Sequence, residues 1–89
     1  MIEYIVKRDG RQVRFDLKKI SDAIFMAAQA VGGNNYDSAE NLAELVREKL
    51  EKESNSNPTV EHVQDTVERV LIENGHARTA KEYILYRAD

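Results

Sequence analysis

The chain has no cysteine among its 89 residues. That removes disulfides, cysteine zinc ribbons, thiol nucleophiles and thiyl-radical chemistry from within it. Histidine is almost as scarce: His62 and His76 are the only two, too few for a histidine-rich metal cluster. The four glycines are Gly10, Gly32, Gly33 and Gly75, and no glycine-rich run leads into Lys-Ser or Lys-Thr, so a P-loop is excluded. No apolar run approaches the ~20 residues of a membrane-spanning helix. The N-terminus lacks a basic-then-apolar signal segment, which makes the cytoplasm the default compartment. No nucleophile–base pair, carboxylate dyad or metal motif is visible. The residues describe a binding module, not a catalyst.

What is present is ordinary in amount and unusual in placement. A content of 42% apolar and 33% charged residues suits one globular domain over residues 1–89, with a single modest core. The absence of a polar tail after Arg87 reads as a domain of a longer chain. Six of the thirteen Lys and Arg residues fall between Lys7 and Lys19. With Asp9 and Asp16 included, that stretch carries +4 (six cations, two anions) and the remainder −7 (seven cations, fourteen anions). An acidic protein with its positive charge gathered at one place suits a small polyanion held locally. Nucleic acid fits less well, because a duplex-binding surface carries a broader basic face.

The first sixteen residues read as a β-hairpin. Asp9-Gly10 suits a two-residue type I′ turn, whose central positions both need φ > 0. That turn pairs Arg8 with Arg11, Lys7 with Gln12, Val6 with Val13, Ile5 with Arg14 and Tyr4 with Phe15. Alternation then puts Tyr4, Val6, Val13 and Phe15 on one face. That face covers helices, since a lone hairpin is marginal in water.

Four helical patterns follow. Asp16 caps the first, with Leu17, Ile20, Ile24, Ala27, Ala28 and Val31 as its apolar stripe, and Gly32-Gly33-Asn34-Asn35 stops it. Asp37 or Ser38 caps the second, with Leu42, Ala43, Val46 and Leu50 inward and a glutamate-rich solvated face outward. Residues 54–58 form the clearest loop. Thr59 caps the third, with Val60, Val63, Val67, Val70 and Leu71 inward, ended by Asn74-Gly75. The fourth runs from about His76 to Arg87, with Ala77, Ala80, Tyr83 and Ile84 inward. The order ββαααα predicts an α+β unit in which a hairpin lies across a helical bundle.

Arg8 and Arg11, placed opposite each other, repel. Either an anion bridges them or both splay into water. Lys18 and Lys19 sit in the first turn of a helix, where the macrodipole disfavours cations, and a phosphate there would meet N–H groups, dipole and ammonium together. Thr59 is first of all a helix cap. His62 and Gln64 near it form either a solvated face or a ribose contact. Lys81 and Arg87 are surface charges or phosphate contacts, and Tyr83 and Tyr86 are core or rim aromatics.

The runs Val6-Lys7-Arg8-Asp9-Gly10, Phe15-Asp16 and Lys18-Lys19-Ile20 resemble the opening of the ATP-cone domain. Thr59-Val60-Glu61-His62-Val63-Gln64-Asp65 and Gly75-His76, with Ala80-Lys81-Glu82-Tyr83-Ile84-Leu85-Tyr86-Arg87, resemble its later signatures, so the likeness covers nearly the whole chain. ATP-cones are regulatory nucleotide-binding domains, chiefly at the N-terminus of ribonucleotide reductases and also in a bacterial repressor of reductase genes. The resemblance implies a four-helix bundle capped by a β-hairpin lid, with ATP or dATP between them and Mg²⁺ on the phosphates. In a reductase, ATP permits turnover and dATP stops it, through changed association of the full-length protein or altered mobility. Its partners would be the remainder of the reductase chain and, under nucleotide control, further copies.

Position by position, Val6, Lys7 and Arg8 match the lid segment, whose cations approach the phosphates, and Lys19 the helix-entrance lysine. Val13, Phe15 and Asp16 fall around adenine, with Ile20 beneath. Thr59 and Val60 match the third-helix entrance, Val63 and Gln64 lie near the ribose, and Lys81 and Arg87 are last-helix phosphate contacts. No protein metal ligand is implied. Val13 cannot accept from the adenine amino group, as a carboxylate there does in some aerobic reductases, so base recognition falls to Asp16 or backbone groups. The ending looks most like anaerobic triphosphate reductases. The alternatives are the nucleotide-sensing domain of the repressor, which normally follows a cysteine zinc ribbon, and a helical interaction module with no ligand.

Overall fold

Apolar side chains recurring at helical spacing give four segments one buried face each, and these faces meet in a shared core. The computed structural model describes residues 1–53 and 57–87. Its elements run β1 (Tyr4–Val6), β2 (Gln12–Arg14), α1 (Leu17–Gln29), α2 (Tyr36–Glu53), α3 (Val60–Glu73) and α4 (Ala77–Arg87). The fold is therefore an α+β hairpin followed by four helices. The helices close a ring in which α1 packs on α2, α2 on α3, α3 on α4 and α4 on α1. Ile24, Val46, Leu50, Val67 and Leu71 lie at its centre, none more than 2% exposed. Of the expected loop, Ser54, Asn55 and Ser56 fall outside the described residues.

Local chemistry explains most of the boundaries. Asp16 Oδ1 accepts from the Lys18 N–H at 3.1 Å and Thr59 Oγ1 from the His62 N–H at 3.1 Å, so both expected caps are in place. The cap of α2 is different: Asn35 Oδ1 accepts from the Ser38 N–H, and the helix starts at Tyr36, before Asp37 and Ser38. Asn35 satisfies a donor three residues on, leaving Asp37 in the first turn, where a carboxylate suits the dipole. At the end of α3, Gly75 has φ 84°. The N–H groups of Gly75 and His76 return to the Ile72 and Leu71 carbonyls, a Schellman turn that needs a left-handed residue.

Two further expectations are corrected. The hairpin register is shifted by one: Tyr4 pairs with Arg14, Ile5 with Val13 and Val6 with Gln12. Only Gly10 has positive φ in the turn (87°), so Asp9 does not complete a type I′ turn. Instead Gly10 N–H donates to Lys7 C=O and Lys7 N–H to Arg11 C=O, giving a three-residue loop with a glycine bulge. The Asp9 carboxylate holds this form by accepting from both the Arg11 N–H and its Nε. Arg8 therefore does not face Arg11. A one-residue shift exchanges faces: Ile5 and Phe15 pack on the core, while Tyr4 lies across from it beneath Arg14, whose guanidinium is 5.7 Å from the ring centre.

The second correction concerns α4, whose inward residues are Thr79, Ala80 and Tyr83. Ala77 and Ile84 are exposed, the latter at 42%. A polar residue on the inner face and an apolar one outside misdirect the periodicity. Burial pushes the Tyr83 phenol up to about 12, in keeping with a core aromatic.

Leu71→Ala, at a fully buried position, is expected to cost about 2–5 kcal/mol. Thr59→Ala, which removes only a cap, should cost about 1 kcal/mol. Equilibrium urea unfolding of both variants checks the order, and equal losses would contradict it.

Candidate functional site

The basic run predicts that cations gather near the hairpin tip, and an open cleft of about 490 Å³ lies there. Lys7, Arg8, Asp9 and Arg11 line it from the hairpin, Val60 and Gln64 from α3, and Arg87 from α4. The volume falls in the ~300–1,000 Å³ range of small-molecule sites. Four cations and one carboxylate line it, with further carboxylates paired to the arginines just outside the lining.

Backbone pairing holds the hairpin in this place. The outer edge of β1 meets the chain just before α3: Val6 N–H donates to Pro58 C=O at 2.9 Å, and Val6 forms a parallel bridge with Thr59. Lys7 and Arg8 follow Val6 directly, and Val60 follows Thr59. Two short covalent steps thus set the basic loop over the start of α3.

The arginines are held by carboxylates, yet each uses only part of its donor fork. Arg8 Nε donates to Glu61 Oε2 at 2.5 Å, and Arg11 Nε to Asp9 Oδ2 at 2.7 Å. Arg87 engages Asp65 at 3.0 Å and also Glu68, both through Nη1. A guanidinium has five N–H donors, so every cleft arginine keeps nitrogens for a ligand. Among the described residues Lys7 forms no ion pair. Burial disfavours the Arg87 charge, but Asp65 and Glu68 outweigh it and raise its pKa. The Glu61 carboxyl is lowered, first by its own backbone N–H at the start of α3 and then by Arg8.

Of the residues singled out from sequence, Lys7, Arg8, Val60, Gln64 and Arg87 come together in the cleft. Val6 and Thr59 form the bridge behind it. Val13 and Phe15 are half-buried in and just after β2, and Asp16 caps α1. Ile20 and Val63 belong to the core, at 9% and 5% exposure. Lys19 and Lys81 are exposed and do not line the cleft. Lys18 is committed elsewhere, donating from Nζ to Asp22 at 2.9 Å, an i,i+4 pair that explains a first-turn lysine without a ligand. Asp9 and Arg11 also line the cleft. Asp9 lies within the lid motif without being an expected contact, and Arg11, weighed from sequence as half of an anion-bridging pair with Arg8, reaches the same cleft although it does not face Arg8 across the hairpin.

Sequence comparison then decides the family. The ATP cone domain matches residues 3–89. The chain belongs to the ATP cone domain family. A vitamin B12-dependent ribonucleoside-diphosphate reductase of Thermoplasma acidophilum is 42% identical to it over 98% of this chain and 12% of its own length. An anaerobic ribonucleoside-triphosphate reductase of Salmonella typhimurium is 33% identical over 100% of this chain and 12% of its own. A ribonucleoside-diphosphate reductase subunit alpha of Chlamydia muridarum is 33% identical over 93% and 9%. The chain thus spans about an eighth or less of these relatives. Among the described residues no helix of the ATP cone is long and apolar enough to cross a membrane.

Because the Glu61 pKa is lowered in the fold, its contribution to stability is present above the ordinary glutamate value and lost as pH falls through the lowered one. In Arg8→Ala the Glu61 titration midpoint should rise part of the way back, the backbone N–H still acting. Carboxyl-detected NMR titration measures it, and an unchanged midpoint would show that Arg8 and Glu61 do not pair in solution.

Proposed function

We propose that this ATP cone binds ATP and dATP in the basic cleft and serves as an allosteric regulatory domain of a ribonucleotide reductase. The cleft supports this reading through one observation above the others: three cations of the hairpin loop and Arg87 of α4 converge on it, in a chain whose remaining charge is acidic. A triphosphate would take the unengaged guanidinium nitrogens and the Lys7 ammonium, in charge-assisted bonds stronger than neutral ones. Among the described residues no group of three or more His, Asp or Glu is placed to hold a metal. A Mg²⁺ ion would therefore be carried by phosphate oxygens.

Gln64 is the polar side chain of α3 that lines the cleft, and it is the residue to tell ATP from dATP at the ribose. Val13 in β2, Phe15 and Asp16 between β2 and α1, and Ile20 in α1 are the residues proposed for adenine, outside the lining of the basic cleft. Lys19 and Lys81 would reach the phosphates only by swinging their side chains inward. Nucleotide would then change how the hairpin and helix ends meet the rest of the reductase chain or a further copy of it, and through that the overall activity. The relatives named above are reductases, which favours this over the repressor reading. A cleft lined by four cations favours it over an interaction module without a ligand.

Calorimetry of the folded domain with ATP and with dATP, with and without Mg²⁺, should give micromolar binding, roughly −8 kcal/mol. No heat and no rise in melting temperature with either nucleotide would overturn the proposal, since a ligand of the native state must stabilise it. Arg87→Ala and Lys7→Ala should each weaken binding by about tenfold or more, the scale of a lost charge-assisted bond. Lys19→Ala should weaken it less than Lys7→Ala while leaving the fold intact. The reverse order would relocate the phosphates to the start of α1.

A further inference from the structure

A second cavity, of about 410 Å³, lies where α1 ends and α4 begins. It shares no lining residue with the basic cleft, and the two sit at opposite ends of α4, one at Thr79 and the other at Arg87. Ile24, Ala28, Val31, Ala39 and Leu42 give it apolar walls, Asn34, Asn35, Ser38, His76 and Thr79 its polar groups, and no Asp, Glu, Lys or Arg lines it. We infer that this cavity is a site for a small apolar molecule carrying a carboxylate.

Thr79 carries the inference. The described residues include three buried polar side chains: Ser21, Thr66 and Thr79. Ser21 donates to the Leu17 carbonyl at 3.2 Å and Thr66 to the His62 carbonyl at 2.8 Å, each four residues back along a helix. For Thr79 the fourth residue back is Gly75, which lies in the turn before α4, so that carbonyl is not presented along a helix. The Thr79 hydroxyl has no hydrogen-bond partner among the described residues, although the residue is only 7% exposed. No sealed side-chain polar atom is left unpaired in the described residues, so this hydroxyl keeps its residual access through the cavity that it lines.

Backbone donors stand beside it. The first backbone bond of α4 runs from Ala80 N–H to His76 C=O, which leaves the N–H groups of Ala77, Arg78 and Thr79 without intrahelical partners. The helix dipole and the free N–H groups, of which that of Thr79 belongs to a residue lining the cavity, favour an acceptor of negative charge, and the Thr79 hydroxyl can donate to the same group, so a carboxylate suits all three. A phosphate dianion would want a permanent cation in the lining, and neither Lys nor Arg is there; His76 is the one titratable residue that lines it. The apolar walls require a hydrocarbon body.

The test is NMR titration of the 89-residue protein with phenylacetate and, in parallel, its neutral isostere phenylacetamide. Saturable shifts are expected at the Ile24, Val31 and Leu42 methyls and at the Ala77–Thr79 amides, with phenylacetate binding about tenfold tighter than the amide. Thr79→Val should erase most of that preference. Its melting temperature should not fall, because no hydrogen bond is lost, whereas Thr66→Val should melt lower. Absence of saturable shifts, equal affinity for the two probes, or shifts confined to the basic cleft would each overturn the inference. So would Thr79→Val melting as low as Thr66→Val, because the hydroxyl would then be paired within the protein.

Discussion

The position of everything near the basic cleft depends on two backbone contacts of one residue, Val6, with Pro58 and Thr59. Two three-residue strands have little to hold them in water, and the hairpin gains its place by adding a third stretch of chain to its edge. Pro58, which is buried, supplies only its carbonyl, since it has no N–H to offer. Thr59 acts twice, bridging to Val6 through its backbone and capping α3 through its side chain. The start of α3 and the position of the hairpin therefore cannot vary separately. This coupling brings residues 7 and 8 over residues 60, 61 and 64.

Electrostatics then divides the cleft cations into two kinds. The Arg8 side chain is 80% exposed and its partner Glu61 39%, so water and salt screen the pair and its net value is small. Arg87 and Glu68 are each only 19% exposed, where an uncompensated charge is much more costly to leave behind. Arg87 is thus a fixed element of the cleft lining, with Nη1 spent on carboxylates. Arg8 is a loosely held element that can exchange partners. Lys7, without an ion pair among the described residues, needs no exchange at all.

How much of this could be read from residues alone varies with the range of the interaction. The caps at Asp16 and Thr59 and the stripes of α1, α2 and α3 depend on neighbours within one helical turn, and the sequence is sufficient for them. The hairpin register was not legible, because Asp9-Gly10 suits two turns. What chooses between them is a side-chain contact, the Asp9 carboxylate on Arg11, that no pattern of apolar residues encodes. On α4 the apolar pattern points the wrong way, since Thr79 faces in and Ile84 out. The cleft was half legible. The basic run and the family motif lead to Lys7, Arg8, Val60, Gln64 and Arg87, but whether Lys19 and Lys81 reach the same space depends on helix rotation, which motif position does not specify.

The Arg8–Glu61 pair also has a property suited to a ligand that arrives and leaves. An anion that drew Arg8 away altogether would leave Glu61 without its cation, and in most settings the stranded carboxylate would oppose the exchange. Here the largest influence lowering the Glu61 pKa is its own backbone N–H, and Arg8 comes second. Glu61 lies in the first turn of α3, where unpaired N–H groups and the helix dipole favour negative charge. Its carboxylate stays stabilised after Arg8 departs, so the cost of opening the pair is low on both sides. With ligand absent, the same carboxylate keeps the arginine beside the cleft and limits the rotamer entropy lost on binding. A single glutamate at a helix start thus holds the cation beside the cleft while depending little on it for its own charge.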